Sequence, residues 1–447
     1  MRSKHNRNTV RYYLIVILLF AFLFFSNDFG LLDVQKTAIV MAAGIDREGD
    51  TFIVTSQIAI PQSSTQGKAT EAVQIVSRGN TVAEAFEEIN AKTGWYPKLV
   101  FCDLILLGKN TTQSNVFDAL DYFLRDEYLT DNCLVAACDG YAKDLLNNSA
   151  LVDPSSSVAM RKVLSAHAER VGTVLPTTLR EFSIGYFSES KSGFLPILKS
   201  EPQQEKIGSS SQNSSSDTSS SQSSSEESES SSESGSSSES ESSSESSGAS
   251  ESESSAGSGS GDSDSSKSSA ESGQKDSGKP VFSARETALF VHGKRVGTLT
   301  EEETFAFGAV KNQLRLAAYS VERNGKTCTL TVKRNSPKIN LNVGKNGRAE
   351  LKIHVTMAAG ILDYSQALPL EKITDSGDIP KEFFTSAQKK LSAQIMQVFE
   401  KSRSCGCDLF GLQERLIKYE KKHLHQHSDS ILENTTATVT VEFQNIR

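Results

Sequence analysis

The sequence predicts a mixed α/β (α+β) protein held on the outside of a membrane. Three observations predict it. A basic-flanked apolar run opens the chain. Short β-rich apolar runs then alternate with segments of helical period. One long Ser/Glu-rich stretch interrupts this alternation, which resumes after it.

Arg2, Lys4, Arg7 and Arg11 precede the apolar run Tyr12–Phe25. As a helix that run spans about 21 Å, short of the hydrocarbon core of about 30 Å. Extended through Leu31 and Leu32 it reaches about 31 Å. No small-x-small cleavage site follows it, and no cysteine that could carry a lipid occurs before Cys102. An uncleaved signal anchor is therefore expected over residues 1–32, with a cleaved signal as the alternative. The one-sided basic flank puts the N-terminus inside and the rest of the chain outside.

The elements follow in order. Thr37–Ile45 and Thr51–Ile60 read as strands around the turn Asp46–Asp50, and Val73–Ser77 as a third. Thr81 with Glu84 has the capping-box spacing, and Val82, Ala85, Phe86 and Ile89 follow at helical period. Leu99–Leu107 is expected as one buried strand, Val116–Leu124 as an amphipathic helix, Asn132–Cys138 as a strand and Tyr141–Leu146 as a short helix. Helices are predicted over Ser155–Val171 and Thr177–Phe187, and a strand over Gly193–Leu198.

Between Ser209 and Lys279 there are 14 Asp/Glu against 3 Lys and almost no apolar residue. Such a stretch lacks the apolar surface to offset its ordering entropy, so disorder is expected, with an end-to-end distance of roughly 45 Å. Order resumes with Thr287–Val291, a turn at His292–Arg295 and Val296–Leu299. A helix is then capped by Thr300 with Glu303. Strands at Leu316–Glu322, Thr327–Lys333 and Ala349–Ala358, a long helix at Lys381–Glu400 and a strand at Thr436–Phe443 complete the chain. The domains expected are 33–150, then 151–207 with 280–300, then 301–447, with 208–279 as the insertion.

The net charge of −8 sits in the Ser-rich segment, and no basic patch with interleaved aromatics points to nucleic acid. Six cysteines form no CxxC pair; Cys102, Cys133, Cys138 and Cys328 lie singly in apolar runs and read as small buried hydrophobes. Ser188 with Lys191, and Ser386 with Lys389, have the spacing of an acylating Ser/Lys pair. Lys92-Thr93-Gly94 precedes them in the wrong order, however, and no Ser-Asp-Asn occurs. No P-loop, GxSxG, HExxH or dinucleotide fingerprint is present. His423, His425 and His427 alternate downstream of Cys405-Gly406-Cys407; they read as the solvated end of a basic helix rather than a zinc or copper site. The sequence gives no catalytic, cofactor or metal residue to name, and no enzyme is expected.

Four segments resemble the Ger(x)C, or GerAC-like, family of spore germination proteins. They are Leu32–Asp46; Gly79–Phe86 with the strand ending Ile105-Leu106-Leu107-Gly108; Phe194–Leu198 with Thr287–Leu299; and Cys407–Leu412 after the long helix. Their order and spacing run over nearly all of residues 32–447. The resemblance implies three mixed α/β domains, no enzymatic activity and a place on the outer face of the spore inner membrane. It also implies partners: a multi-helix membrane subunit and a transporter-like membrane subunit, together a receptor for small germinants. The chain departs from the family in three ways. It lacks a lipid-bearing cysteine near Ser26, its only tryptophan is Trp95, and the Ser-rich segment replaces a short loop. The rival readings are a surface stalk or adhesion protein, with the Ser-rich segment as spacer, and an exported hydrolase.

If Tyr12–Leu32 anchors the chain, replacing Leu18 and Leu19 by arginine should release it from membranes, since each charge at a helix centre costs about 2.5–3.5 kcal/mol on insertion. Carbonate extraction of the two forms measures this.

Overall fold

A computed structural model describes residues 11–22, 37–59, 72–148, 153, 155–165, 172–201, 281–323, 325–344, 348–364, 381–419 and 431–446. Residues 11–22 are helical and exposed (α1). Among the described residues no helix is long and apolar enough to cross a membrane; the rest of the expected anchor, and the whole Ser-rich insertion, lie outside them.

The fold is mixed α/β and built on two sheets. The larger contains β1 (Thr37–Glu48), β2 (Thr51–Ala59), β3 (Ala72–Gly79), β4 (Tyr96–Lys98), β5 (Leu104–Leu107), β6 (Leu134–Cys138), β7 (Ser192–Glu201), β8 (Val281–Val291) and β9 (Lys294–Leu299). Its order is β3-β2-β1-β5-β6-β7-β8-β9, with β4 beside β1. Strands β1, β4, β5, β6 and β7 run parallel, while β2, β3, β8 and β9 attach antiparallel.

The strands of this sheet's centre are apolar on both sides because both faces are covered. Ala43, Ile45, Ile105, Leu107, Val135 and Ala137 face one core, with α2 (Val82–Thr93) and α4 (Phe117–Arg125). Ala42, Leu104, Leu106, Ala136 and Cys138 face the other, with α5 (Ala142–Asn147) and α6 (Ser156–Leu164). Two-sided burial of parallel strands is the reason a run such as Leu104–Leu107 shows no polar alternation. The short α3 (Lys109–Gln113) and α7 (Leu179–Phe187) complete this half.

The smaller sheet, β10-β11-β12-β13, comprises Ala317–Arg323, Lys326–Val343, Ala349–Tyr364 and Thr435–Asn445. It is antiparallel except for the β12–β13 pair. The long α9 (Lys381–Ser404) lays Ala387, Leu391, Ile395, Val398 and Phe399 on it, and α8 (Glu301–Val310) contributes Phe305 and Phe307 to the same core. Tyr319 Oη donates to Gln394 Oε1 at 3.0 Å beneath that helix. Two short helices, α10 (Leu412–Tyr419) and α11 (Ile431–Asn434), lead into β13.

Helix starts follow the sequence closely. Thr178 and Thr300 form complete capping boxes with Glu181 and Glu303. At α2 only half of the box forms: Thr81 accepts from Glu84 N, but the Glu84 carboxylate takes the Asn80 N–H. The β8–β9 turn has positive φ at both His292 and Gly293, the geometry whose twist matches a tight hairpin.

Three expectations are corrected. Leu99–Leu107 is not one strand, because Cys102 N turns back to Leu99 O and Asp103 N goes to Met41 O, leaving only Leu104–Leu107 in the ladder. The helix expected over Ser155–Val171 ends at Leu164, where Ser165 bonds the Lys162 carbonyl through both its N–H and its hydroxyl; residues 166–171 lie outside the described residues. Strand β11 runs on through Pro337 to Val343. The proline is tolerated because β10 pairs only with Lys326–Val332, so β11 is an edge at Pro337, where the missing N–H leaves no ladder bond unmade.

The Ser-rich segment leaves and re-enters at one hairpin. Glu201 and Val281 are register partners, and Phe194–Ile197 pairs with Glu286–Leu289. Going from about 6 residues to about 70 in such a loop costs only about 2 kcal/mol. Deleting Ser209–Lys275 and closing the hairpin with a short Gly/Ser turn should therefore leave one cooperative transition at an equal or higher Tm. Calorimetry of residues 33–447 with and without the segment measures this.

Candidate functional site

Two aspartates, Asp46 buried and Asp408 half-buried, organise the places where elements converge. Asp46, at the end of β1, accepts from Ala142 N (2.8 Å, Oδ1) and Lys143 N (3.0 Å, Oδ2). It caps α5 from 96 residues away, in place of a local cap: Tyr141, at the N-cap position, gives no side-chain hydrogen bond. Gly108 lies so close that a Cβ there would stand 1.9 Å from Asp46 Oδ1, which leaves room for hydrogen alone. Burial raises the Asp46 pKa above the usual carboxylate value; the Lys143 and Ala142 N–H groups oppose this, and Asp144 and Glu48 add to it.

Asp408 repeats the arrangement locally. Its Oδ1 accepts from Leu412 N (2.8 Å) and its Oδ2 from Gln413 N (3.0 Å), capping α10. Its own N–H donates to Ser192 Oγ at 2.9 Å. Cys407 beside it directs its thiol at the Phe290 carbonyl (3.5 Å), and burial pushes that thiol up to about 12. The segment Cys407–Leu412 thus fastens the second half of the chain to the first residues of β7 and the last of β8.

Next to this fastening lies a cleft of about 320 Å³ lined by Glu181, Ser188, Lys311, Gln313, Asp408 and Glu414, among others. The Lys311 ammonium stands over the Phe194 and Phe307 rings, 5.4 and 5.5 Å from their centroids. Lys311 keeps solvent-accessible surface, yet the walls of the cleft crowd its ammonium and lower its pKa, against the pull of Asp408, Glu414 and Glu181. Gln313 Oε1 is buried there without a hydrogen-bond partner among the described residues. A second, more apolar cleft of about 570 Å³ opens among Ile39, Met41, Ala59, Phe101 and Val158.

Of the residues singled out by motif, Ser188 and Lys191 share a turn in which Lys191 N–H donates to the Ser188 carbonyl at 3.1 Å. Ser188 Oγ donates to Gly185 O at 2.6 Å, whereas Lys92 Nζ reaches Val76 O at 3.0 Å and Glu88 at 3.1 Å. Ser386 is half-buried and Lys389 exposed, both on α9. His423, His425 and His427 lie outside the described residues. Among the described residues no three His, Cys, Asp or Glu side chains converge as a metal site would require. Cys102, Cys133, Cys138 and Cys328 are buried, as small hydrophobes should be. The Cys102 thiol beside it, and burial, push Cys133 far up. Asp46 and Asp408 lie within segments the sequence marked, but their roles depend on partners that only the fold supplies. Lys311 and Gln313 carried no sequence signal.

These features define a class: a two-sheet α/β protein whose inward-facing aspartates are spent on capping helices and joining its halves, with a polar cleft at that join and an apolar one within the first half. Residues 32–200 match the family model described as the spore germination protein N-terminal domain, and residues 285–447 match that described as spore germination B3/GerAC like, C-terminal. The chain belongs to the GerAC-like family of spore germination proteins, the C subunits of germinant receptors. The crystal structure of the GerBC protein aligns with 91% of this chain and 97% of its own, at 16% identity and a TM-score of 0.48. No curated protein matches the chain.

Asp46→Ala, which orphans two buried N–H groups, should destabilise the protein by about 2 kcal/mol, and Asp46→Asn by about half of that. Urea denaturation measures both. The pH dependence has a defined sign. A carboxyl with a raised native pKa gives stability that is full below its unfolded value and lost as pH rises through the native one. Over that interval the fall in Tm with pH should be shallower in Asp46→Asn than in the parent.

Proposed function

We propose that this chain is a non-catalytic extracytoplasmic subunit of a spore germinant receptor, taking part in nutrient-germinant sensing at the spore inner membrane. The observation that carries the reading is the pair of family matches on either side of the insertion, one to each half of the chain. The apolar N-terminal segment would hold the body to the membrane as a single-pass anchor, N-terminus inside. The partners would be a multi-helix membrane subunit and a transporter-like membrane subunit. The Ser/Lys pairs and the histidine run play no catalytic or metal role in this reading.

The stalk reading is disfavoured by a specific observation. A stalk separates a head from its base, but the residues flanking the Ser-rich segment are register partners in one hairpin. The segment would then be a side loop of the body rather than a spacer within it.

The test is affinity purification of the chain from spore inner membrane, with mass spectrometry of what accompanies it. Stoichiometric recovery of two polytopic membrane proteins, and slowed nutrient germination of spores lacking the chain, are the expected results. Recovery of the chain alone, with normal nutrient germination in its absence, would remove the proposal.

A further inference from the structure

One end of the large sheet carries a cluster of exposed apolar and aromatic side chains close together in the chain. Strands β1 and β4 are parallel and start level with one another, whereas β5 and β6 start level with Ala42, five residues further along β1, so the chain ahead of them flanks the same end. The segment from Trp95 to Cys102 forms its lip. Phe101 is 60% exposed, Tyr96 53% and Val100 43%. Tyr128, just ahead of β6, is also exposed, with Lys98 Nζ 4.3 Å from its ring centroid. Trp95 through Cys102 contains one lysine and no acidic residue. Asp103, which follows, is paired with Arg161 at 2.7 Å. The apolar cleft bounded by Ile39, Met41 and Phe101 opens beside the lip.

Leu99 and Cys102, both buried, close the core at this end and leave Val100 and Phe101 largely at the surface. The composition of Trp95–Cys102 is the one enriched where protein meets lipid: amphipathic Trp and Tyr rings with an apolar body and a polar edge, a basic side chain among them, and no carboxylate. The acidic groups Asp126 and Glu127 lie on the Tyr128 side and bond Tyr128 itself. The position agrees with the composition. Thr37, the first residue of β1, is the register partner of Tyr96. Only 14 residues separate Thr37 from Phe22 at the end of α1. Fully extended they reach at most about 50 Å, and β1 itself is about 40 Å long. The lip is at the end of the sheet where β1 begins, so of the sheet's two ends it is the one joined by the shorter stretch of chain to the apolar N-terminal run.

We propose that this lip is a bilayer-contacting surface. Tyr96, Val100 and Phe101 enter the headgroup layer, Lys98 faces lipid phosphate, and the body is thereby oriented on the membrane with β1 rising from it. The proposal rests on the membrane anchoring put forward above.

Trp95 is the only tryptophan, so its fluorescence reports this site alone. The experiment reconstitutes the full chain into vesicles of phosphatidylcholine and phosphatidylglycerol, with acyl chains either ordinary or brominated near the headgroup. Flotation reads anchoring; quenching of Trp95 by the brominated lipid reads the lip. The expected result is flotation together with a loss of about half of the Trp95 emission in brominated vesicles. In the Val100→Ser/Phe101→Ser double variant the protein should still float and keep an unchanged thermal transition, while the quenching falls severalfold. Flotation with Trp95 emission equal in the two lipids would overturn the lip while leaving the anchor intact, and would show that this face awaits a protein or stands free. Quenching that the double variant leaves unchanged would also overturn it. A chain that does not float would overturn the anchor and the lip together.

Discussion

The pairing of β7 with β8 is the constraint on which the rest of the structure depends. β7 is the last strand of the half that matches the N-terminal family model, and β8 the first of the half that matches the C-terminal one. Their antiparallel ladder runs from Ser192↔Val291 to Glu201↔Val281. Because β7 also pairs with β6 and β8 with β9, the ladder makes one sheet of strands drawn from both halves. The Cys407–Leu412 segment then closes on the same two strands, through Ser192 Oγ and the Phe290 carbonyl. The second sheet is thereby held to the first through the Ser192 and Cys407 side chains and through the core that Leu289 and Leu299 share with it.

The two capping aspartates show how charge is used inside this body. Each gives both carboxylate oxygens to consecutive N–H groups at a helix start, where the helix dipole also favours an anion. Burial opposes this by raising both pKa values. The geometry survives because the alternative is worse: orphaned N–H groups at two buried helix ends. The functional consequence is positional. Asp46 ties the end of β1 to α5, whereas Asp408 ties the turn after α9 to the wall of the polar cleft, so neither the cleft nor the sheet end can shift independently of the core.

Much of the fold was legible because local signals and burial agree in it. Capping pairs such as Thr300 with Glu303 act within one turn, and the apolar period of Lys381–Glu400 reports one buried face. Legibility failed where a remote partner decides. Leu99–Leu107 is uniformly apolar, and only the hydrogen bond from Asp103 N to Met41 O shows that its first half turns away from the ladder. The continuation of β11 past Pro337 depends on which edge of the strand is unpaired, a property of the sheet and not of the residue. Nothing local marks Lys311 or Gln313, since their cleft is walled by α7 and the Asp408–Glu414 turn, which lie on either side of them and far away in the chain.

The hairpin that carries the Ser-rich segment also separates the continuity of the body from the continuity of the chain. Its two flanks are hydrogen-bonded to one another over most of β7, and each is buried among residues of the other half. A protease that cut once between Ser209 and Lys275 would therefore release nothing. It would yield two polypeptides still sharing a sheet, one bearing the N-terminal apolar run and the other held to it without a covalent link. A family member with such an insertion can be read as a natural site of fragment complementation, where the halves could be supplied as separate chains and assemble through the same ladder.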